Sequence, residues 1–262
     1  MRMRPRESGI KRMIGRDHVW RLPPAELTLM RGEVHVWRAV LHLPAARIHE
    51  LRQTLSADET IRAEQYYFQE DRQRFIVARG VLRAILGRYL QTEPSQVRFC
   101  YSAYGKPAID SGTGRSSDLN FNIAHSGQLA LFALTLSRQI GVDLERVRVD
   151  LDYEQIAKRF FSPHERRSLR AVPDHLKSEA FFNCWTRKEA YVKARGAGLS
   201  TPLNQFTVSL LPGEPARLLN IRDDPRAVVR WSLWELRPGP GYAGALAVAG
   251  DDSQLRCWRW PE

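Results

Sequence analysis

The feature that most constrains the fold is a long helix predicted for about residues 177–194. An α-helix repeats about every 3.6 residues, so side chains four positions apart lie on one face. Trp185, Glu189 and Lys193 therefore form one stripe, and Gly196 follows where such a helix is expected to end. A glutamate four residues before a lysine is also typical of an ordinary surface salt bridge. The stripe alone leaves both interpretations open.

A second pattern, at residues 140–145, alternates apolar and polar side chains with the period of a β-strand. Its apolar residues would point into a core, whereas Asp143 and Glu145 would point the other way, roughly 7 Å apart. Neighbouring carboxylates repel each other unless a cation lies between them. Mg²⁺ favours one or two protein carboxylates and takes further ligands from substrate phosphates. An exposed strand face also tolerates two acids, so the strand alone does not decide.

Together the two patterns resemble the paired signature of the 4′-phosphopantetheinyl transferases. GVDLE occupies residues 141–145, and FFNCWTRKEAYVKARGAGLS occupies residues 181–200. Three shorter motifs agree in order: YGKP at 104–107, NFNIAHSG at 120–127 and RFFSPHE at 159–165. The resemblance covers roughly residues 34–210, and the longer, surfactin-synthetase-activating (Sfp-type) branch is the better match.

The resemblance implies an activity and a fold. The activity is Mg²⁺-dependent transfer of the 4′-phosphopantetheine group of coenzyme A to a serine of an apo acyl or peptidyl carrier protein, as in a holo-[acyl-carrier-protein] synthase, with release of 3′,5′-ADP. The fold is α+β, a pseudo-dimer of two similar α/β lobes with the active site in the cleft between them. We expect a basic, flexible N-terminal arm at residues 1–30, an N-terminal lobe at 31–115 and a C-terminal lobe at 116–262.

The resemblance also implies how the reacting phosphates are held. Asp143, Glu145 and Glu189 would bind Mg²⁺, or Mn²⁺ in its place, against the pyrophosphate of coenzyme A. Lys188 and Lys193 would add positive charge there. The leaving group is a stable phosphate, so it needs little help from an acid.

The base that takes the serine proton is left open by the sequence. Glu189 or Glu145 could accept it, directly or through bound water. The family's pattern places a functional acid at Glu165, but this residue also completes a capping box with Ser162, which is a sufficient structural role. The other predicted coenzyme A contacts are His125, Ser126, Lys106, Arg74 and Arg79.

Composition indicates a globular protein of 262 residues. Its three cysteines match no metal or redox spacing, which suits a reducing compartment. No apolar run approaches the ~20 residues that a membrane-spanning helix needs, and the basic N-terminus lacks the apolar segment of a secretory signal. We therefore expect a cytoplasmic protein without a membrane partner.

The formal net charge of +11 requires an anionic partner. Coenzyme A and an acidic carrier protein are one set of candidates, and nucleic acid is another. The alternative functions are therefore a Mg²⁺-dependent nuclease or a basic nucleic-acid-binding protein. Common nucleases have an acid and a lysine two apart on a strand, whereas here they are four apart on a helix, so we expect no nucleic-acid partner. Because both predicted lobes lie in one chain, we expect a monomer.

Overall fold

The computed structural model describes residues 19–110, 112, 117–148, 150–196, 201–251 and 253–261. These residues form an α+β structure, as predicted. The strands are β1 (Glu33–Val40), β2 (Phe99–Tyr101), β3 (Pro107–Ile109), β4 (Leu119–Ser126), β5 (Leu129–Leu136), β6 (Ile140–Arg146), β7 (Phe206–Val208), β8 (Leu218–Ile221), β9 (Trp231–Leu236), β10 (Tyr242–Ala249) and β11 (Gln254–Arg259). The α-helices are α1 (Ala45–Arg52), α2 (Ala57–Glu64), α3 (Gln69–Leu90), α4 (Tyr153–Phe160), α5 (Pro163–Ala171) and α6 (Asp174–Arg195).

The first sheet has the strand order β11-β1-β5-β4. Strand β1 runs parallel to β11, with Val36 beside Cys257, and antiparallel to β5. Helix α3 packs on this sheet through a buried cluster that includes Trp37, Val81 and Phe132. The cluster forms the core of this part of the molecule, and it fixes α3 relative to β4, whose end carries His125.

The second sheet has the strand order β6-β10-β9, with antiparallel neighbours. Ile140, Val142 and Leu144 of β6 lie in one buried cluster with Val34 and Leu131 of the first sheet. The two sheets therefore pack against each other through the apolar face of β6, as its alternation predicts.

Gly141 allows α6 to lie directly on the opposite face of β6. A Cβ atom at this position would lie 2.1 Å from the carbonyl oxygen of Ala190 and 2.3 Å from the amide nitrogen of Ala194. A larger residue would therefore push the helix away from the strand. Gly141 shares its face with Asp143 and Glu145, because side chains alternate along a strand. The close approach places α6 over both carboxylates.

The helix ends follow the predicted signals. Capping boxes are present at Ser56 with Glu59 and at Ser162 with Glu165. Helix α6 begins slightly earlier than predicted, and Gly196 follows its last residue with a φ of 66°, a left-handed conformation that glycine adopts without steric cost. The end of α6 is therefore well defined by the sequence.

Short strands are the elements that the sequence predicts least well. Strands β3 and β8 are not predicted, because β3 has three residues and β8 is buried only at its two ends. Strand β9 begins only at Trp231, since the segment Pro225–Arg230 before it forms a 3₁₀-helix. Strand β7 has only the three residues Phe206–Val208.

Strand pairing does not follow chain order. Strands β4, β5 and the C-terminal β11 belong to the sheet of β1. The division into lobes at residues 115 and 116 stays a prediction.

Of the predicted arm, residues 1–18 lie outside the described residues, and Arg21 forms a parallel bridge with Trp258 beside the first sheet. Residues 111, 113–116 and 197–200, the last four of which end the motif at 181–200, are also outside them.

All three cysteines are free: Cys100 is exposed, and Cys184 and Cys257 are buried. None of the described helices is long and apolar enough to cross a membrane.

Candidate active site

Asp143 lies at the buried centre of the site. It is 4% exposed, and its Oδ1 atom accepts a hydrogen bond of 2.6 Å from Nζ of Lys193. Its Oδ2 atom is buried and accepts no hydrogen bond from any described residue. Burial raises the pKa of Asp143, and the ammonium of Lys193 opposes that rise. An unpartnered buried carboxylate oxygen is costly, so a cation placed beside Oδ2 would be stabilised.

Lys193 therefore does not form the ordinary salt bridge along its own helix. Its ammonium crosses from α6 to β6 and pairs with Asp143. Within the described part of the chain, Glu189 accepts no hydrogen bond and forms no ion pair. The surface salt-bridge interpretation of the Glu189–Lys193 spacing is wrong, and the carboxylate of Glu189 is left available.

Glu145 is held by a hydroxyl at the end of β4. Oγ of Ser126 donates a hydrogen bond of 3.0 Å to Oε2 of Glu145 and accepts one of 3.0 Å from the backbone N–H of Arg146. The hydroxyl of Tyr242 accepts the backbone N–H of Gln128 at 3.1 Å. These contacts fix the turn after His125 to the ends of β6 and β10.

The three carboxylates share one electrostatic environment. The pKa of Glu145 is raised, first by burial and then by the charge of Asp143. The pKa of Glu189 is raised by burial, then by Asp143, and further by Glu145, while Lys193 lowers it. The charges of Asp143 and Glu145 thus act on Glu189 across the contact between β6 and α6. One ammonium is not enough to neutralise three acids.

His125 lies on the cationic side of this region. Its pKa is lowered, first by partial desolvation and then by the charges of Lys193 and Arg74. The structure thus brings a residue from α3, one from β4 and one from α6 near each other. Arg74 also pairs with Glu70 at 2.7 Å and Asp71 at 2.9 Å on its own helix. Its guanidinium is therefore partly neutralised.

Glu165 and Lys188 form a separate, fully buried pair, with Oε2 and Nζ 2.8 Å apart and both side chains 0% exposed. Glu165 also accepts the backbone N–H groups of Ser162 and Val208, each at 2.7 Å. Lys188 donates to the carbonyl oxygens of Leu203 and Phe206, each at 2.7 Å. These bonds join α5, α6 and β7. The structure does not bring this pair into contact with the other predicted site residues.

Two further predicted contacts have protein partners. Arg79 pairs with the carboxylate of Glu59 at 3.1 Å and donates to the hydroxyl of Tyr101 at 3.2 Å. Lys106 donates to the backbone carbonyl oxygens of Lys193 at 2.7 Å and Ile140 at 3.0 Å. Burial lowers the pKa of Lys106 to about 8. Their assignment to coenzyme A stays a prediction.

Sequence reasoning missed the supporting contacts. Ser126 was expected to contact coenzyme A, and its bond to Glu145 was not foreseen. The contact of Tyr242 with Gln128 has no counterpart in the sequence motifs. The close approach of α6 to β6 at Gly141 could have been predicted from the sequence. Gly141 shares its strand face with the two acids, and glycine inside a strand often marks a close backbone approach.

Comparisons with known proteins identify the family of this chain. A sequence profile of the 4′-phosphopantetheinyl transferase superfamily matches residues 139–247, and a profile described as 4′-phosphopantetheinyl transferase, N-terminal, matches residues 44–137. The 4′-phosphopantetheinyl transferase HetI of Nostoc sp. is 45% identical over 93% of this chain and 99% of its own length. The 4′-phosphopantetheinyl transferase Sfp of Bacillus subtilis is 34% identical over 76% of this chain and 84% of its own.

The chain belongs to the 4′-phosphopantetheinyl transferase family, whose members are transferases. This result does not favour the nuclease or the nucleic-acid-binding alternative. Among solved structures, the holo-[acyl-carrier-protein] synthase of Thermotoga maritima matches 43% of this chain and 63% of its own, with a TM-score of 0.36 and 21% identity.

Proposed function

We propose that this chain transfers the 4′-phosphopantetheine group from coenzyme A to a serine of an apo acyl or peptidyl carrier protein. The products are the holo carrier and 3′,5′-ADP. The observation that carries the proposal is the contact between Lys193 and Asp143, made where Glu145 and Glu189 add two further carboxylates. A reacting pyrophosphate requires positive charge, which Lys193 would supply directly and the three carboxylates would supply by holding a divalent cation.

A divalent cation fits the donors of this region. Oδ2 of Asp143 is buried without a partner in the described residues, and two more carboxylates repel it. No ready-made group of three metal ligands occurs in the described part of the chain, so the side chains would have to adjust around the ion. Asp143, Glu145 and Glu189 would hold Mg²⁺, or Mn²⁺. The bound ion would supply positive charge to the pyrophosphate oxygens.

The bond changes are those of a displacement at phosphorus. The carrier serine oxygen forms a bond to the phosphorus that bears the pantetheine arm, the bond to the bridging oxygen breaks, and 3′,5′-ADP leaves with that oxygen. Lys193 would contact the phosphates, and His125 and Arg74 would add donors at the rim of the site. Each such contact is charge-assisted, which makes it stronger than a neutral hydrogen bond.

Glu189 is the base that we favour for the serine proton. It is half-buried, and it has no hydrogen-bond partner among the described residues. Glu145 is already bonded to Ser126. Glu165 accepts three bonds at 0% exposure, so a substrate hydroxyl could reach it only if the buried pair opened. We propose that Glu165 and Lys188 hold α5 and α6 together.

A basic surface on α5, which packs against α6, suits an acidic carrier. Helix α5 presents Arg166, Arg167 and Arg170, and no ion pair to them occurs among the described residues. Electrostatic complementarity of this kind accelerates encounter and is screened by salt. We propose that the carrier docks beside α5, so that added salt raises the KM for the carrier more than the KM for coenzyme A.

We also propose that the protein acts as a monomer in the cytoplasm. The two larger sheets and all the acids of the site come from one chain, and the three cysteines are free. Analytical ultracentrifugation should give a single species of about 30 kDa. An obligate dimer would contradict the monomer.

Mass spectrometry of apo carriers tests the function directly. Several apo acyl and peptidyl carriers are incubated with the protein, coenzyme A and Mg²⁺. The expected result is a gain of one phosphopantetheine mass on at least one carrier, absent when its acceptor serine is replaced by alanine. No gain on any carrier, together with nicking of plasmid DNA under the same conditions, would replace this proposal with the nuclease alternative.

A further inference from the structure

Lys106 lies at the tip of the β2–β3 hairpin, in a turn with a fixed shape. Oγ of Ser102 accepts the backbone N–H groups of Tyr104 at 3.3 Å and Lys106 at 3.1 Å. Gly105, between them, has a φ of 76°, in the left-handed region that favours glycine. The turn is thus held by its own bonds, and it directs the Lys106 side chain away from the hairpin.

The ammonium of Lys106 joins two distant elements. It donates to the carbonyl oxygen of Lys193 at 2.7 Å, in the last turn of α6, and to that of Ile140 at 3.0 Å, at the first residue of β6. The last carbonyls of a helix lack full intrahelical partners, and a cation there is also favoured by the helix dipole. The only other described donor to the Lys193 carbonyl is the N–H of Gly196, at 3.3 Å. The hydrogen bond from Lys106 is therefore the shorter of the two that this carbonyl accepts.

These two carbonyls belong to the elements that carry the candidate site. Lys193 pairs through its side chain with Asp143, which lies on the same strand as Ile140. Gly141, the next residue, is where the backbone of α6 touches β6. Loss of the Lys106 side chain would therefore loosen the contact between α6 and β6. It would thereby change the distance between Glu189 on α6 and Asp143 on β6.

We propose that Lys106 is a positioning residue, which fastens the last turn of α6 to the start of β6 and so holds Lys193 and Glu189 opposite Asp143. Its role in catalysis rests on the transferase function proposed above. It replaces the expectation that Lys106 contacts coenzyme A, because the two carbonyls already occupy its ammonium. Misplacement of catalytic groups by a small distance lowers the rate of the chemical step more than it weakens binding.

The test compares Lys106→Met with Lys177→Met. Lys177 lies at the other end of the same helix, and within the described ranges its one ion pair is with the exposed carboxylate of Asp174. For Lys106→Met we expect kcat to fall on the order of ten- to a hundredfold, with the KM for coenzyme A changed by less than about twofold. For Lys177→Met we expect both parameters to match those of the wild type. Lys106→Arg, which keeps a charged donor, should recover part of the lost kcat.

Amide hydrogen exchange of the protein without coenzyme A gives a second readout. Amides in the last turn of α6 should exchange faster in Lys106→Met, while those of α3 stay unchanged and show that the fold is intact. If Lys106→Met does not fold, the same exchange comparison is made on Lys106→Gln, whose shorter neutral side chain does not reach both carbonyls, and the last turn of α6 should again exchange faster than in the wild type.

A rise in the KM for coenzyme A with unchanged kcat and unchanged exchange would overturn the proposal and assign Lys106 to the substrate. Unchanged exchange in the last turn of α6 in Lys106→Met would overturn it even if the wild-type protein transferred nothing, since exchange is measured without substrate. An inactive wild type with faster exchange in Lys106→Met would remove the transferase function and leave the structural role of Lys106 standing.

Discussion

The ammonium of Lys193 lies 2.6 Å from Oδ1 of Asp143, and this contact joins the last turns of α6 to the middle of β6. It forms because Gly141 allows the helix backbone to touch the strand. Asp143 is buried beneath the helix, and the other oxygen of its carboxylate has no partner among the described residues. The pair therefore links α6 to β6 through Oδ1 of Asp143 and leaves Oδ2 available to a cation.

Lys193→Met should impair turnover. The substitution keeps an apolar stem of similar length but removes the ammonium that pairs with Asp143 and would contact the phosphates. We expect a loss of about 1.5–3 kcal/mol in transition-state stabilisation, or roughly a ten- to hundredfold drop in kcat/KM for coenzyme A. Lys177→Met is the matched control. Wild-type kinetics in Lys193→Met would show that the pair with Asp143 is only structural.

Ser126→Ala should lower activity less than loss of Glu145 itself. The serine hydroxyl donates to Glu145 and accepts the N–H of Arg146, so its removal leaves the carboxylate free to turn. We expect a rise of about tenfold in the Mn²⁺ concentration that gives half-maximal binding, measured by titration in the absence of substrate, which is the lower end of the 10–100-fold that residues supporting metal ligands typically contribute. Ser126→Thr keeps the hydroxyl and should bind the ion like the wild type. An unchanged titration in Ser126→Ala would remove this positioning role.

Glu165→Ala should destabilise the fold rather than the chemistry. It leaves Lys188 fully buried without its carboxylate and frees the N–H groups of Ser162 and Val208. Removing one partner of a buried ion pair costs about 3–5 kcal/mol, which urea denaturation would measure. At low temperature, where the variant is still folded, the activity per folded molecule should be near that of the wild type. A stable but inactive variant would make Glu165 the catalytic base.

Stability should fall between neutral and mildly acidic pH because of His35. Burial lowers the pKa of this histidine to about 4, with Glu33 opposing and Arg256 adding to the shift. In the unfolded chain the His35 side chain takes up a proton near its ordinary pKa of 6.5. In the folded protein the same side chain has a pKa of about 4 and stays neutral above that pH. Stability is therefore lost as pH falls through this window, by roughly 2 kcal/mol at pH 5.

Urea midpoints at pH 7 and pH 5 measure this loss. His35→Gln removes the titrating ring but keeps a polar side chain near Tyr89, which bonds to His35 at 2.7 Å. The variant should be less stable at pH 7, and its stability should depend less on pH over the same interval. An equally steep pH dependence in the variant would assign the effect to other groups.

Local patterns predicted the two elements that carry the site. The alternation in β6 and the stripe on α6 place Asp143, Glu145, Glu189 and Lys193 on the correct faces, because each face depends only on the period of its own element. What the sequence could not predict is how far apart the two faces lie. That distance is set by Gly141 against α6, which is a contact between residues far apart in the chain.

Lys106 shows the same limit. Its neighbours Gly105 and Pro107 predict a turn, but the carbonyls that its ammonium reaches belong to residues much later in the chain. Every residue has a backbone carbonyl, so the sequence does not show which carbonyls a lysine contacts. A lysine that donates to two carbonyls and a lysine that binds a phosphate therefore look the same in the sequence. Glu165 was ambiguous for a related reason, since its capping box was visible and its pair with Lys188 was not.

The most direct measurement compares Asp143→Asn with Asp174→Asn in the mass-spectrometric transfer assay. The first removes the charge that faces Lys193, with little change in shape. The second removes an exposed carboxylate, 94% accessible, at the start of the same helix. We expect Asp143→Asn to lose on the order of a hundredfold or more of the transfer rate at saturating coenzyme A and Mg²⁺, and Asp174→Asn to match the wild type. Wild-type transfer by Asp143→Asn, in a folded protein, would contradict the assignment of the β6–α6 carboxylates as the active site.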